Sequence, residues 1–153
     1  YKSHCQYSTT NFDWNVFESN LLKVTDYVNT ISSTISIYSL LTTPELMAYM
    51  KNLNISTYLS ILVAPKHLDI RLLPLNIKNK INKKFDLLVK KIVPFNSTEL
   101  DNITKTLDYL NKDIEDRDIL LKKFKLYNEE IDNLNNTSFI EIYPELREWY
   151  EKI

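Results

Sequence analysis

The chain of 153 residues is 44% hydrophobic and 25% charged with a formal net charge of −1, values typical of one globular domain and not of a basic nucleic-acid-binding protein. It contains no glycine, which excludes a P-loop, a dinucleotide-binding G-x-G-x-x-G turn and a G-x-S-x-G nucleophile elbow. One cysteine and two histidines are too few for a self-contained zinc or iron–sulfur site.

The first predicted elements are a helix and a strand. Either Asn11 or Asp13 can cap the helix, and apolar residues recur at three- and four-residue spacing from Trp14 to Val28. The spacing then falls to two, which is typical of a strand. The mainly aliphatic face of this strand carries Ile31, Ser33, Ile35 and Ile37. The other face carries Ser32, Thr34, Ser36 and Tyr38.

A second helix and a second strand follow at short distance. Thr43 followed by Pro44 is typical of a helix start, because proline fits the first turn of a helix. Residues 56–63 then alternate again, with Thr57, Leu59, Ile61 and Val63 against Ser56, Tyr58, Ser60 and Leu62. A strand, a helix and a strand with short connections predict a βαβ unit with parallel strands and a right-handed crossover.

The hydroxyl-bearing face of these strands leaves two interpretations open. It lines the polar lumen of a barrel whose aliphatic face packs against outer helices, or it is the solvent-exposed face of an open sheet.

The second half of the chain is predicted to be helical. One amphipathic helix runs from Ile77 to Ile92 and ends at Pro94. Asn96 and Glu99 have the spacing of a capping box. The stripe of the helix that they start is Leu100, Ile103, Leu107 and Leu110.

A further helix is predicted after the acidic segment 113–118, since acidic residues favour a helix N-terminus. Its stripe is Leu120, Phe124, Tyr127, Ile131 and Leu134. These last two helices are predicted to pair as an antiparallel hairpin. A short extended piece over 139–143 and a final helix opened by Pro144 complete the chain.

The segment after the second strand holds the main candidate functional residues. Residues 64–71 read APKHLDIR, and ligands of α/β proteins collect beyond the carboxyl ends of the strands. His67 can carry a proton, Asp69 can supply a carboxylate and Arg71 can clamp an anion. In the structural alternative, Asp69 and Arg71 pair to fix a loop and His67 is simply exposed. No residue is assigned the chemical step, and no metal ligand is predicted.

Six lysines lie on the predicted helix that follows Pro74: Lys78, Lys80, Lys83, Lys84, Lys90 and Lys91. They form either a phosphate-contacting surface or the solvated face of an amphipathic helix. The near-neutral charge of the whole chain favours the solvated face, so nucleic acid is not an expected partner.

Two stretches of the sequence resemble a known family. Residues 68–74 read LDIRLLP, and residues 131–146 read IDNLNNTSFIEIYPEL. Both resemble twitch-domain-containing radical S-adenosylmethionine (radical SAM) proteins, bacterial and phage iron–sulfur oxidoreductases whose ending is roughly LD-x-x-R-N-T-x-F-x-E-x-F-P-E-L. Residues 11–20 are similar to the helix that precedes a barrel strand in that group. Asn135 stands where the group has arginine, so that arginine's role does not carry over.

The resemblance implies that the chain is the C-terminal part of a larger enzyme. Members of the family bind a [4Fe-4S] cluster through a C-x3-C-x2-C motif and S-adenosylmethionine through a glycine-rich segment, and the chain has neither. The implied fold class is α/β. Residues 1–73 form a βαβ piece of a partial radical-SAM-type (β/α) barrel, and residues 74–153 form a mostly α-helical tail. The expected partner is the missing N-terminal half of the same protein, which holds both cofactors.

The resemblance also implies a function. In the full-length parent the cluster cleaves S-adenosylmethionine to a 5′-deoxyadenosyl radical, which abstracts hydrogen from an unidentified substrate. The chain supplies a cavity wall, with Ser36, Ser60, His67, Asp69 and Arg71 facing cofactor or substrate, and is inactive alone. The alternative is a non-catalytic α/β interaction module that binds a protein partner.

One cysteine, no signal peptide and no membrane span predict a cytoplasmic location.

Overall fold

The computed structural model describes residues 2–9, 12–91 and 95–153, without the side chain of Lys91. Asn11, Ile92 and Pro94, which the predictions above use, lie outside the described residues. The helices are α1 (Lys2–Ser8), α2 (Trp14–Val24), α3 (Thr43–Asn52), α4 (Leu75–Lys91), α5 (Ser97–Leu110), α6 (Arg117–Asn135), α7 (Phe139–Ile142) and α8 (Arg147–Tyr150). The strands are β1 (Thr30–Ile35) and β2 (Ser56–Ile61). Short 3-10 turns are Thr25–Tyr27, Lys66–Leu68, Ile70–Leu72 and Pro144–Leu146.

The two strands form a parallel sheet and are joined through α3. Their register runs from Thr30 opposite Ser56 to Ile35 opposite Ile61. The predicted βαβ pairing and the mixed α/β class are therefore confirmed. The described part of the chain holds two strands in a protein that is 66% helical, and a two-stranded sheet alone does not define a barrel.

Both strands end earlier than the alternating pattern predicts. β1 ends at Ile35, and the Ser39 side chain organises the turn that follows. The Ser39 hydroxyl accepts from the Ser36 N–H at 3.0 Å and donates to the Thr34 carbonyl at 3.0 Å. A hydroxyl that satisfies nearby backbone groups competes with a strand ladder. The prediction that Ser36 lies on a strand face is therefore wrong, because Ser36 lies in this turn.

The helix starts follow local rules. Asp13 caps α2, accepting from the N–H groups of Asn15 at 2.7 Å and Val16 at 3.3 Å. The predicted capping box of Asn96 and Glu99 at the start of α5 is confirmed in both directions.

The buried stripe of α6 differs from its prediction. Leu120 and Phe124 are buried as expected, but Leu134 is 84% exposed. The stripe continues instead through Asn128, which is fully buried. Its side chain accepts from the Tyr38 hydroxyl at 2.9 Å, so a polar residue occupies a core position.

The predicted extended piece over 139–143 is wrong, because Phe139–Ile142 form the one-turn helix α7. The Asp132 carboxylate accepts from the Phe139 N–H at 2.9 Å and so satisfies the start of this helix. The helical turn brings the rings of Phe139 and Tyr143 together in the core, with centroids 4.8 Å apart.

One hydrophobic cluster draws residues from both predicted segments, 1–73 and 74–153. Helix α5 packs mainly against β2 and α4, whereas α6 packs mainly against the 3-10 turns after β2 and against α7. The predicted α5–α6 hairpin is therefore not the main packing of either helix. Within the described ranges, no helix combines the length and apolarity needed to cross a membrane.

Candidate functional site

The candidate segment predicted from sequence, residues 64–71, lies within residues 62–73, here called the post-strand segment. This segment leaves the carboxyl end of β2 and contains two 3-10 turns, Lys66–Leu68 and Ile70–Leu72. In parallel α/β sheets this is the end at which ligands bind.

Asp69 is the buried centre of the post-strand segment, with 1% of its surface exposed. Its carboxylate accepts from the Arg71 backbone N–H at 2.9 Å, from Arg71 Nη2 at 2.8 Å and from the Tyr109 hydroxyl at 2.7 Å. Burial disfavours the charged form, but these hydrogen bonds outweigh it and hold the pKa of Asp69 below its ordinary value. Asp69 is therefore an ionised, fully partnered carboxylate.

The Arg71 guanidinium is also occupied by protein groups. Its Nε and Nη2 donate to Asp69, its Nη1 donates to the Asp113 carbonyl at 3.1 Å, and its Cζ lies 4.6 Å from the Tyr109 ring centroid. Hydrogen bonding to Asp69 raises the pKa of Arg71. Of the two interpretations of this pair, the structure shows the ion pair. The bonds from Tyr109 to Asp69 and from Arg71 to the Asp113 carbonyl tie the post-strand segment to α5 and to the connection before α6.

His67 is half-buried and packs against Tyr127, with ring centroids 4.9 Å apart. Its Nε2 atom is buried and makes no hydrogen bond to any described residue. Burial, with a smaller effect of Lys123, lowers the pKa of His67. The imidazole is therefore neutral at pH 7 and keeps one ring nitrogen without a partner in the described part of the chain.

Ser36 and Ser60, both predicted to face cofactor or substrate, lie in different surroundings. Ser36 is buried in the turn after β1, where its hydroxyl accepts from the Tyr38 N–H at 3.3 Å. Ser60 is exposed on β2, and its partner in the register is Thr34. Thr34, and not Ser36, is therefore the β1 residue beside Ser60.

The hydroxyl face of the sheet is uncovered over most of its area. The register aligns Thr30, Ser32 and Thr34 of β1 with Ser56, Tyr58 and Ser60 of β2. Five of these six residues are exposed, and Ser56 is intermediate. The opposite face is the covered one, with Ile35 and Leu59 buried.

The two edges of the sheet differ. The outward N–H and C=O of Leu59 on β2 are both bound by the Asn102 side chain of α5, at 2.6 and 3.0 Å. On β1 the register directs the backbone groups of Thr30, Ser32 and Thr34 away from β2. Of these, the Thr34 carbonyl accepts from Ser39, and the others have no hydrogen-bond partner among the described residues.

The lysines of α4 serve partly as packing contacts. Lys84 donates to the Leu41 carbonyl at 2.7 Å and to Glu45 at 2.8 Å, and Lys90 pairs with Asp86 at 2.7 Å. This arrangement favours the solvated-face interpretation of the helix.

The sequence does not single out Asn102, since an asparagine within a helix carries no signal that it binds a strand 43 residues away.

In the ranges that the structure describes, no three His, Cys, Asp or Glu side chains group closely enough to hold a metal ion. No family model, curated protein or solved structure matches the chain. Its function is therefore inferred from the residues and their geometry.

Proposed function

We propose that the chain is the C-terminal part of a radical SAM iron–sulfur oxidoreductase, in which it forms one wall of the reaction cavity and a helical tail. The observation that carries this proposal is the inequality of the sheet edges. Helix α5 packs against β2, where its Asn102 binds both outward backbone groups of Leu59, while β1 presents the outward backbone groups of Thr30 and Ser32. A sheet with one closed and one open edge is suited to extension from the β1 side only.

The uncovered hydroxyl face supports the same proposal. If further strands extend the sheet beyond β1 and curve it, this face becomes the lumen of a partial barrel. Uncharged hydroxyl groups such as those of Ser60 and Thr34 can then hydrogen-bond a polar ligand without repelling it. His67 lies beyond the carboxyl end of β2, where barrel enzymes place ligand contacts.

The two stretches that resemble the radical SAM family each have a defined place in the packing of the chain. Within residues 131–146, Asp132 caps α7, while Phe139, Tyr143 and Leu146 are buried in the core. In residues 68–74, Asp69 and Arg71 form the ion pair described above. Both family-like stretches thus build the packing of the post-strand segment and the tail, which suits a structural part of a larger enzyme.

The cluster and S-adenosylmethionine, when bound by the full-length protein, supply the 5′-deoxyadenosyl radical that abstracts hydrogen. In this proposal the present residues do not ligate either group. Asp69 and Arg71 position the post-strand segment, His67 offers a neutral ring nitrogen, and Ser60 lines the cavity wall.

The test compares two lengths of the protein after anaerobic cluster reconstitution with S-adenosylmethionine and a reductant. We expect no 5′-deoxyadenosine above background from the 153 residues alone. We expect it from a form that includes the upstream coding region, in which an in-frame C-x3-C-x2-C motif should be found. Turnover by the short chain, or an upstream region that lacks the cysteine motif, would overturn the proposal.

A second candidate, the non-catalytic interaction module, is favoured by the same open edge, because a strand from another protein can also pair with β1. An initiator codon directly before Tyr1 would decide for this candidate.

A further inference from the structure

Helix α6 carries four exposed apolar residues on one side, here called the α6 stripe: Ile119, Leu126, Tyr127 and Leu134. Their exposed fractions range from 37% for Tyr127 to 84% for Leu134. Spacings of seven and eight residues place them on one side of a helix, because 3.6 residues make a turn. The helix packs mainly against the 3-10 turns after β2 and against α7. The stripe is thus left exposed in the part of the chain that the structure describes.

The charges beside the stripe are divided by sign along the helix. Lys122 and Lys123 lie in its N-terminal half, whereas Glu129 and Glu130 lie in its C-terminal half. All four residues are exposed, and none forms an ion pair with any described residue. The dipole of a helix favours the reverse order, with acidic residues first and basic residues last. The stability of α6 alone therefore does not account for this order.

An open pocket of about 280 Å³ lies beside the stripe, between α6 and Ile153. Leu126 and Ile153 supply its apolar lining, and Lys122, Lys125 and Glu129 surround them. Contacts between proteins are strongest where a side chain of one partner fills a pocket of the other. The pocket therefore gives a partner on the stripe a place to insert a side chain.

These features restrict the class of partner. Nucleic acid or an anionic membrane would be repelled by Glu129 and Glu130, which flank the same stripe as the lysines. An extended peptide strand pairs with a sheet edge, which a helix does not offer. A second helix fits, because its apolar residues can pack on the stripe while its flanking charges pair with those of α6.

We propose that the α6 stripe binds an amphipathic helix of another protein. The flanking residues of this helix are acidic where they face Lys122 and Lys123, and basic where they face Glu129 and Glu130. The stripe is roughly 22 Å long at about 1.5 Å per residue, which corresponds to about four turns of the partner helix. This inference does not depend on the radical SAM proposal, because it involves neither a cofactor nor the open β1 edge.

The test is a fluorescence anisotropy titration of three labelled helical peptides with the 153-residue chain at low salt. The peptides share one apolar stripe, and their flanking residues are divided by sign, all acidic or all basic. We expect saturable binding of the divided peptide, with a dissociation constant about tenfold below those of the other two, because it alone pairs with both halves of α6. No saturable binding of the divided peptide, or equal affinity of all three, would overturn the inference.

A pair of leucine variants locates the contact. Leu126→Ser removes apolar surface from the centre of the stripe and should weaken binding of the divided peptide about tenfold. Leu75→Ser is the matched control, since this leucine of α4 is 70% exposed, and it should leave the affinity unchanged. Binding of the divided peptide to the Leu126→Ser protein with wild-type affinity would contradict the inference.

A second pair of variants tests the charges. Glu129→Lys combined with Glu130→Lys makes the flanks of the stripe uniformly basic, so the acidic peptide should become the tightest binder. Asp26→Lys combined with Asp108→Lys makes the same change in net charge at exposed positions outside α6, and the divided peptide should stay the tightest binder. An unchanged preference after the two glutamate substitutions would count against the charge pairing and overturn the inference.

A second copy of the chain is the competing occupant, because two antiparallel α6 helices also place Lys123 near Glu130. Sedimentation of the wild type and of Leu126→Ser over the same concentrations separates the two cases. We expect equal masses at each concentration. A lower mass for Leu126→Ser would show that the stripe pairs two copies, and the inference would fail.

Discussion

Asn128 shows how single buried polar residues organise this core. Its Oδ1 accepts from the Tyr38 hydroxyl at 2.9 Å, and its Nδ2 donates to the Phe124 carbonyl at 2.7 Å. The Tyr7 hydroxyl lies 3.1 Å from Asn128 Oδ1 and 3.0 Å from Asp132 Oδ1, so its one proton has two acceptors within reach. Burial, the largest effect, raises the pKa of Tyr7 and of Tyr38, so both hydroxyls remain neutral donors. The Asn128 amide, together with the Asp132 carboxylate, therefore satisfies the hydrogen bonds of two tyrosine hydroxyls in the core.

His4 is a second buried polar residue, and it makes stability depend on pH. Its Nε2 donates to the Ile142 carbonyl at 3.1 Å, and the residue is 7% exposed. Burial lowers the pKa of His4, with the charge of Glu145 acting in the opposite direction. The unfolded chain therefore binds a proton more readily than the folded one, and folding stability falls as pH drops below about 6.5, the ordinary histidine value.

We expect urea unfolding to give a lower free energy of unfolding at pH 5 than at pH 7. The dependence should be weaker in His4→Gln, whose side chain does not titrate. His67→Gln should change it less, because His67 is less buried than His4 although its pKa is also lowered. A His4→Gln profile with the wild-type slope between pH 7 and pH 5 would show that His4 is not the responsible group.

At the scale of elements, helix α5 acts as the boundary of the sheet. The Asn102 amide takes the place of a neighbouring strand at Leu59, since it accepts from the N–H and donates to the carbonyl of this residue. Leu59 is 2% exposed. One turn earlier, Glu99 of the same helix pairs with Lys51 of α3 at 2.7 Å. The helix thus joins the end of the βαβ crossover to the sheet edge.

Removing the Asn102 side chain should therefore destabilise the protein. Asn102→Ala leaves the buried Leu59 N–H and C=O without partners, which should lower the free energy of unfolding by about 1–3 kcal/mol. Asn111→Ala, at the residue that follows α5, is the control, because its exposed amide donates to the Leu107 carbonyl. That change should stay within about 0.5 kcal/mol. Equal effects of the two substitutions in urea titrations would contradict the edge role of Asn102.

Local rules of sequence predict much of this fold. The βαβ unit, the capping box at Asn96 and the buried stripe of α4 all depend on residues within one element or its neighbour. The early end of β1, the helical form of α7 and the capping of Leu59 on β2 each depend on one side chain outside the element, namely Ser39, Asp132 and Asn102. Periodicity contains no information on such contacts. The candidate segment after β2 could be located from the sequence. The partners of Asp69 on α5 could not, because they are distant along the chain. The radical SAM activity stays a prediction.

At the scale of the whole molecule, the open β1 edge predicts self-association of the isolated chain. Ser32→Pro removes an N–H that the register directs away from β2, and proline is tolerated at such edge positions. This variant should stay folded and become monomeric. Ser33→Pro is its matched control, since it removes an N–H that pairs with β2 and should impair folding.

Analytical ultracentrifugation over a concentration series measures this association, with circular dichroism as the check on folding. Wild-type protein should show a concentration-dependent increase in mass. Ser32→Pro that remains folded and still associates would show that the β1 edge is not the contact.

The amide of Asn102 also limits how far any such assembly can grow. With α5 packed against β2 and Asn102 bound to Leu59, each molecule offers β1 as its pairing edge. When two β1 strands pair around a two-fold axis, both open edges are used and no site is left for a third copy. Asn102 and the packing of α5 against β2 therefore favour a closed dimer as the end point of edge pairing over edge-to-edge stacking of these sheets into fibres.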